Sequence, residues 1–83
     1  MDRRSILVHA VWDPEADVFV ATSEDVPGLA TEAATPAELL KKLQVMIPEL
    51  LELNGDPRVN DRDFSEVPLA VIYEQFAKVR LCA

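Results

Sequence analysis

The sequence predicts an α+β domain of order β-β-β-α-β, a small mixed sheet with one helix packed on one face. Three observations carry that prediction. Apolar residues alternate along Ile6 to Trp12 and again from Val18 to Ser23, with turn residues between them. A capping signal at Thr35-Pro36-Ala37-Glu38 opens a stripe of leucines at helical spacing. Beyond a polar connection, β-branched residues cluster again at Val67, Val71 and Ile72.

Ile6, Val8, Ala10 and Trp12 lie on one side of the first strand, and Leu7, His9 and Val11 on the other. Both sides are largely apolar, as in a strand covered twice. Asp13-Pro14-Glu15-Ala16-Asp17 has turn chemistry, because proline presets φ and aspartate accepts local hydrogen bonds. Val18 to Ser23 therefore returns as the second arm of a hairpin. Pro27-Gly28 marks another tight turn, and Leu29 to Ala33 forms a short third strand.

At the helix start, the Thr35 hydroxyl is placed to accept from the third helical amide, and Glu38 to reach back to the cap. Leu39, Leu40, Leu43, Met46, Ile47, Leu50 and Leu51 form the apolar stripe, and Glu38 and Lys42 are spaced to pair outside it. Asn54-Gly55 supplies a left-handed stop. Pro48 removes an amide donor and crowds the carbonyl four residues back, predicting either a kink near Gln44 or the start of a second short helix.

Asp56 to Glu66 is a polar connection and the expected site of greatest mobility. Val67 to Leu81 fits both periods: Leu69, Val71, Tyr73, Ala77, Val79 and Leu81 alternate, while Leu69, Ile72, Phe76 and Val79 suit a helix. Early β-branching and Pro68 favour a strand. Fully extended, that stretch spans ~50 Å, so its end is expected to bend or protrude. A helix between two strands makes the last strand parallel to the first.

With 83 residues the chain is read as one domain, residues 1–83. A core of that size seldom supplies more than ~3–5 kcal/mol of net stability, so a second subunit is an expected source of more. Cys82 and His9 are the single cysteine and histidine, which excludes an internal disulfide and a zinc site built by one chain. No metal or cofactor is expected.

The net charge is −7, and Asp13, Glu15, Asp17, Glu24, Asp25, Glu32 and Glu38 run from Ser5 to Leu40 with no intervening cation. That half repels nucleic acid and attracts a basic protein. Acidity also keeps a small protein soluble, which is the plainer meaning of charge taken alone. Arg3-Arg4 and the apolar run after them are too short and too polar for a leader, and no stretch approaches the ~20 apolar residues of a membrane span. A cytoplasmic location is expected.

Catalytic constellations are weak. Ser23 and His9 fall on neighbouring strands without the glycines of a nucleophile elbow. Asp13, Asp17, Glu24 and Asp25 do not follow the calcium-loop spacing, and the two glycines, Gly28 and Gly55, form no phosphate cradle. The chain is expected not to be an enzyme. One helix covers one sheet face, whereas both faces are apolar. If the helix takes the Val8 side, then Leu7, Val11, Phe19, Ile72 and Phe76 are candidates for the other, depending on register. Leaving these in water forfeits about 1.5–3 kcal/mol apiece, so a partner or the chain's own C-terminal residues are expected to cover them.

Trp12-Asp13-Pro14-Glu15-Ala16, Val20 to Leu29 with Asp25-Val26-Pro27-Gly28 inside it, Thr31-Glu32-Ala33 and Pro48-Glu49-Leu50-Leu51-Glu52-Leu53-Asn54-Gly55 together resemble the HicB-like antitoxin superfamily, and within it a branch of short, uncharacterised bacterial proteins. The resemblance implies a partial ribonuclease H-like fold and a role in a toxin–antitoxin system, covering a small basic toxin that cleaves messenger RNA. Ile6 to Trp12 contains no acid, so the nuclease chemistry of ribonuclease H relatives is expected to be lost. Full antitoxins add a DNA-binding domain, for which 83 residues leave no room, so transcriptional autoregulation is not expected, and the scattered Lys and Arg with no exposed aromatic pair on the strands argue against direct nucleic-acid binding. The candidate partner-binding residues are Trp12, Asp13, Glu24, Asp25, Pro27, Leu29 and Glu32. The alternative is a self-associating, homodimeric structural or small-ligand-binding domain.

Overall fold

The computed structural model describes residues 5–60 and 66–82. Strands β1 (Ile6–Asp13), β2 (Val18–Thr22) and β3 (Ala30–Ala33) precede helix α1 (Pro36–Leu53), a 3-10 turn at Pro57–Asn60 and strand β4 (Leu69–Glu74). They form one four-stranded sheet of order β3-β2-β1-β4. β1–β2 and β2–β3 are antiparallel, and β1–β4 is parallel. The β-β-β-α-β order is therefore the observed one. Arg3, Arg4 and residues 61–65 of the polar connection lie outside the described residues.

Local chemistry explains each junction. Asp13 Oδ1 accepts from the Glu15 and Ala16 amides at 3.0 and 3.4 Å, and Asp17 adopts φ 55°, which aspartate tolerates. Val26-Pro27-Gly28-Leu29 closes as a type II turn: Leu29 N–H donates to Val26 C=O at 3.1 Å, with Gly28 at φ 87°. The turn carries Val26 and Leu29 into the core.

Helix α1 begins at the expected cap, with Glu38 N–H donating to Thr35 Oγ1 at 3.2 Å, but the Glu38 carboxylate does not reach back to the cap amide, so half of the expected capping box forms. It ends in a Schellman motif: Asp56 N–H donates to Leu51 C=O at 2.9 Å and Gly55 N–H to Glu52 C=O at 3.1 Å. Pro48 lies inside one continuous helix, so the second short helix is not formed. Pro48 and Gln44 are both exposed, and water can therefore serve the carbonyl that proline leaves without a donor. Lys42 departs from expectation. Its ammonium donates to the main-chain oxygen of Glu32 on the edge strand β3 at 2.6 Å, instead of pairing with Glu38.

The core lies between α1 and one sheet face. Leu39, Leu43, Ile47 and Leu51 pack with Ile6, Val8, Ala10, Ala21 and Ala33, while Val26 and Leu29 close one end. Asn54 Nδ2 donates to Pro27 C=O at 2.9 Å and ties the β2–β3 turn to the helix end.

The final strand is shorter than expected. β4 stops at Glu74, opposite Val11, two residues before β1 ends at Asp13 and turns into the hairpin. Residues 75–82 run on outside the sheet, exposed throughout, in a molecule 59 Å along its longest axis. The expected protrusion is present.

Candidate functional site

Strand register decides which residues face away from the helix. Trp12 pairs with Phe19 and Ala10 with Ala21, so these share the helix side with Val8. The opposite face carries Leu7, His9 and Val11 of β1 with Val18, Val20 and Thr22 of β2. Ala30 and Glu32 continue it on β3, and Ala70, Ile72 and Glu74 on β4. Val11 is 37% exposed and Ile72 44%, with Leu7, Val18, Val20 and Ala70 half-buried. The result is an apolar centre rimmed by Glu32 and Glu74.

Phe19 is a correction to the expected membership of this face. Its ring belongs to an aromatic strip on the helix side, edge-on to Trp12 at 4.9 Å and to Tyr73 at 5.2 Å between centroids. These geometries are the favoured ones for aromatic pairs. Phe76 lies past the end of β4, outside the sheet. Val18, Val20 and Ala70 join the face beyond the expected set. Their signal is the parity fixed by the hairpin, visible only once Trp12 is set opposite Phe19.

The seven candidate partner-binding residues do not converge. Trp12 and Asp13 sit at the hairpin end, Trp12 in the aromatic strip and Asp13 capping the turn. Glu24, Asp25 and Pro27 occupy the β2–β3 connection at the other end of the sheet. Leu29 is core, and Glu32 is exposed on the open face.

Asp25 has an internal task. β2 ends at Thr22, so Leu7 on β1 has no strand neighbour on that side for its main-chain groups. Asp25 Oδ2 accepts from Leu7 N–H at 2.8 Å, and Ser23 Oγ donates to Leu7 C=O at 2.6 Å. Two side chains thus extend the ladder by one residue. Ser23 Oγ also accepts from Asp25 N–H at 3.1 Å, so the hydroxyl proton is committed to a carbonyl and not to His9. A hollow lined by Leu7, His9, Thr22, Ser23, Glu24 and Asp25 opens here. Asp25→Ala is expected to cost about 1 kcal/mol in urea denaturation, and Asp25→Asn less, because the amide oxygen still accepts. Equal losses for both would rule out the ladder role.

The Arg58 side chain grips Asp56 beyond the helix, with Nη2–Oδ2 at 2.8 Å and Nε–Oδ1 at 3.0 Å. These hydrogen bonds hold the Asp56 carboxyl below its ordinary value of 3.8 and raise the guanidinium. A depressed carboxyl contributes stability above its unfolded value and loses it as pH falls through the folded one. Arg58→Ala is therefore expected to destabilise by under about 1 kcal/mol near neutrality, with the difference from wild type closing as pH falls through the lowered Asp56 value. Thermal melts across that range check it, and a gap that persists in acid contradicts it.

Among the described residues no three His, Cys, Asp or Glu side chains come together to hold a metal ion. No helix among them is long and apolar enough to cross a membrane.

A mixed sheet covered on one side by a single helix, with the other side uncovered by any described residue, defines a small α+β sheet-and-helix module. The chain belongs to the family described as a domain of unknown function, DUF1902, whose model matches residues 5–82. It is similar to a hypothetical protein, TTHA1013, from the extremely thermophilic bacterium Thermus thermophilus. Identity to that protein is 47%, covering 93% of this chain and 99% of the other, with a TM-score of 0.61. No curated protein matches the chain.

Proposed function

We propose that this chain is a non-catalytic protein-binding module that holds a small basic protein against its open sheet face, as HicB-like antitoxins hold a toxin. The observation that carries the reading is the face itself. Val11, Val18, Val20 and Ile72 present apolar surface that neither the helix nor residues 75–82 cover. Apolar surface rimmed by one sign of charge suits a partner with the complementary pattern. Glu32 and Glu74 supply that rim, and Glu24 lies at its edge. The sequence resemblance supports the same reading, and a cytoplasmic, bacterial toxin–antitoxin setting goes with it.

The test is co-expression with a short basic protein encoded next to this chain's own reading frame. Wild type is expected to copurify with it at low salt and to release it as salt rises. Val20→Asp, Glu24→Lys and Glu32→Lys together should abolish capture while leaving the fold intact, since none of these side chains holds a strand amide as Asp25 does. Capture that survives the triple variant, or no capture at all, rejects the proposal.

A further inference from the structure

We infer that two copies of this chain join through β4 and the arm that follows it, pairing antiparallel about a two-fold axis at Phe76. The inference goes beyond the docking role above, because it uses the sheet edge and not the open face.

β4 is an edge strand. Ile6 N–H donates to Pro68 C=O at 2.8 Å, so Pro68, Ala70, Ile72 and Glu74 turn their main-chain groups toward β1. Leu69, Val71 and Tyr73 therefore direct theirs outward, where no described residue bonds them. An edge so exposed is a template for another strand. The arm has the properties of such a strand. It carries no helix or turn and runs outside the sheet in a molecule 59 Å long, and at roughly 3.3 Å per residue its eight residues can reach as far as the eight of β1. Phe76 is 78% exposed, Val79 81% and Leu81 95%, an apolar series with nothing of its own chain on it. The family match extends to residue 82, so the arm belongs to the domain.

Charge selects the occupant. The arm carries Lys78 and Arg80 and no acid, in a chain of net charge −7, so a second copy offers the complementary surface. With Phe76 on the axis, Lys78 lies opposite the other copy's Glu74, Val79 opposite its Tyr73 and Leu81 opposite its Val71. Opposite charges and apolar pairs facing each other are the favoured cross-strand arrangement. The parity is also right: Tyr73 with Val79 and Val71 with Leu81 become hydrogen-bonded pairs, while Phe76 meets Phe76 in the close, non-hydrogen-bonded position. Two four-stranded sheets would then continue across the dimer.

Sedimentation and cysteine cross-linking test the arrangement in the full chain. Wild type is expected to sediment as a dimer, and a chain ending at Glu74 as a folded monomer. Lys78→Glu should weaken the dimer about tenfold, counting two symmetric pairs, and Glu74→Lys added to it should restore affinity. In a Cys82→Ser background, Phe76→Cys should oxidise to a linked dimer faster than Gln75→Cys or Ala77→Cys, because only position 76 meets itself. A monomeric wild type, a dimer that persists without the arm, or linkage through Val11→Cys on the open face overturns the inference. The truncated chain should still capture the basic protein, which separates failure here from failure of the docking role.

Discussion

Leu43→Ala is expected to leave the chain largely unfolded at 37 °C. Leu43 is fully buried at the centre of the α1 stripe, between Leu39 and Ile47, in the core between α1 and the sheet. Removing its branched end forfeits transfer free energy and leaves a cavity, together about 2–5 kcal/mol for a buried leucine. The core of so short a chain supplies a net stability of only ~3–5 kcal/mol, so the loss takes most of what there is. Val45, two residues away and 61% exposed, is the control. Val45→Ala removes methyl groups already in water, improves helix propensity and should leave the urea midpoint almost unmoved. Paired denaturation curves followed by circular dichroism decide the point. A loss below about 1 kcal/mol for Leu43→Ala would show that the helix stripe is not seated on the sheet.

Much of this arrangement was legible in the sequence where a residue type has one local use. Thr35-Pro36-Ala37-Glu38 could only open a helix, Pro27-Gly28 could only turn, and Asn54-Gly55 could only close α1, because capping and positive φ are settled within a few residues. What escaped depended on pairing across the chain. Phe19 changed faces because parity on β2 is set by how many residues the Asp13–Asp17 turn consumes, and a slip of one reverses every side chain. Lys42 turned from Glu38 to a carbonyl of β3, a partner ten residues away that no helical spacing reveals. Pro48 left the helix continuous because its position faces solvent, and exposure is a tertiary property. The alternation that favoured a strand to Leu81 was real, but pairing with β1 ends at Glu74 and the alternating residues beyond it run outside the sheet.

The docking surface was legible in kind and not in membership. An excess of apolar strand residues over what one helix covers is countable from sequence, and Leu7, Val11 and Ile72 follow from β1 and β4 parity alone. The acids read differently in three dimensions. Asp13 and Asp25 look like members of one negative field, yet each is engaged by main-chain amides at opposite ends of the sheet. Glu24 and Glu32 have no such duty, so charge available for a partner is smaller and more localised than the sequence count implies.

Ala21→Leu is expected to be as damaging as the cavity at Leu43, by the opposite route. Ala10 and Ala21 are directly opposed on β1 and β2, both without solvent exposure, and Ala33 adds a third small residue on β3. Three alanines in a patch let the leucines of α1 descend onto the sheet, filling the space that larger residues would take. Ala21 is without solvent exposure inside the core cluster, so a leucine there has to be fitted into packed surroundings. It must push Leu39 and Leu43 off their rotamers or lift the helix, and overpacking of this kind costs typically about 1–3 kcal/mol. Lifting the helix also strains the Asn54–Pro27 tie and the seats of Val26 and Leu29, which depend on its position, so the upper end of that range applies. Val20→Leu, one residue earlier, points to the open face, where an added methylene meets only solvent or a partner; its stability should match wild type. Thermal unfolding of the two variants side by side reads the difference between faces of the same strand. If Ala21→Leu melts with Val20→Leu, then α1 does not rest on the alanine patch and the open face has been assigned to the wrong side of the sheet.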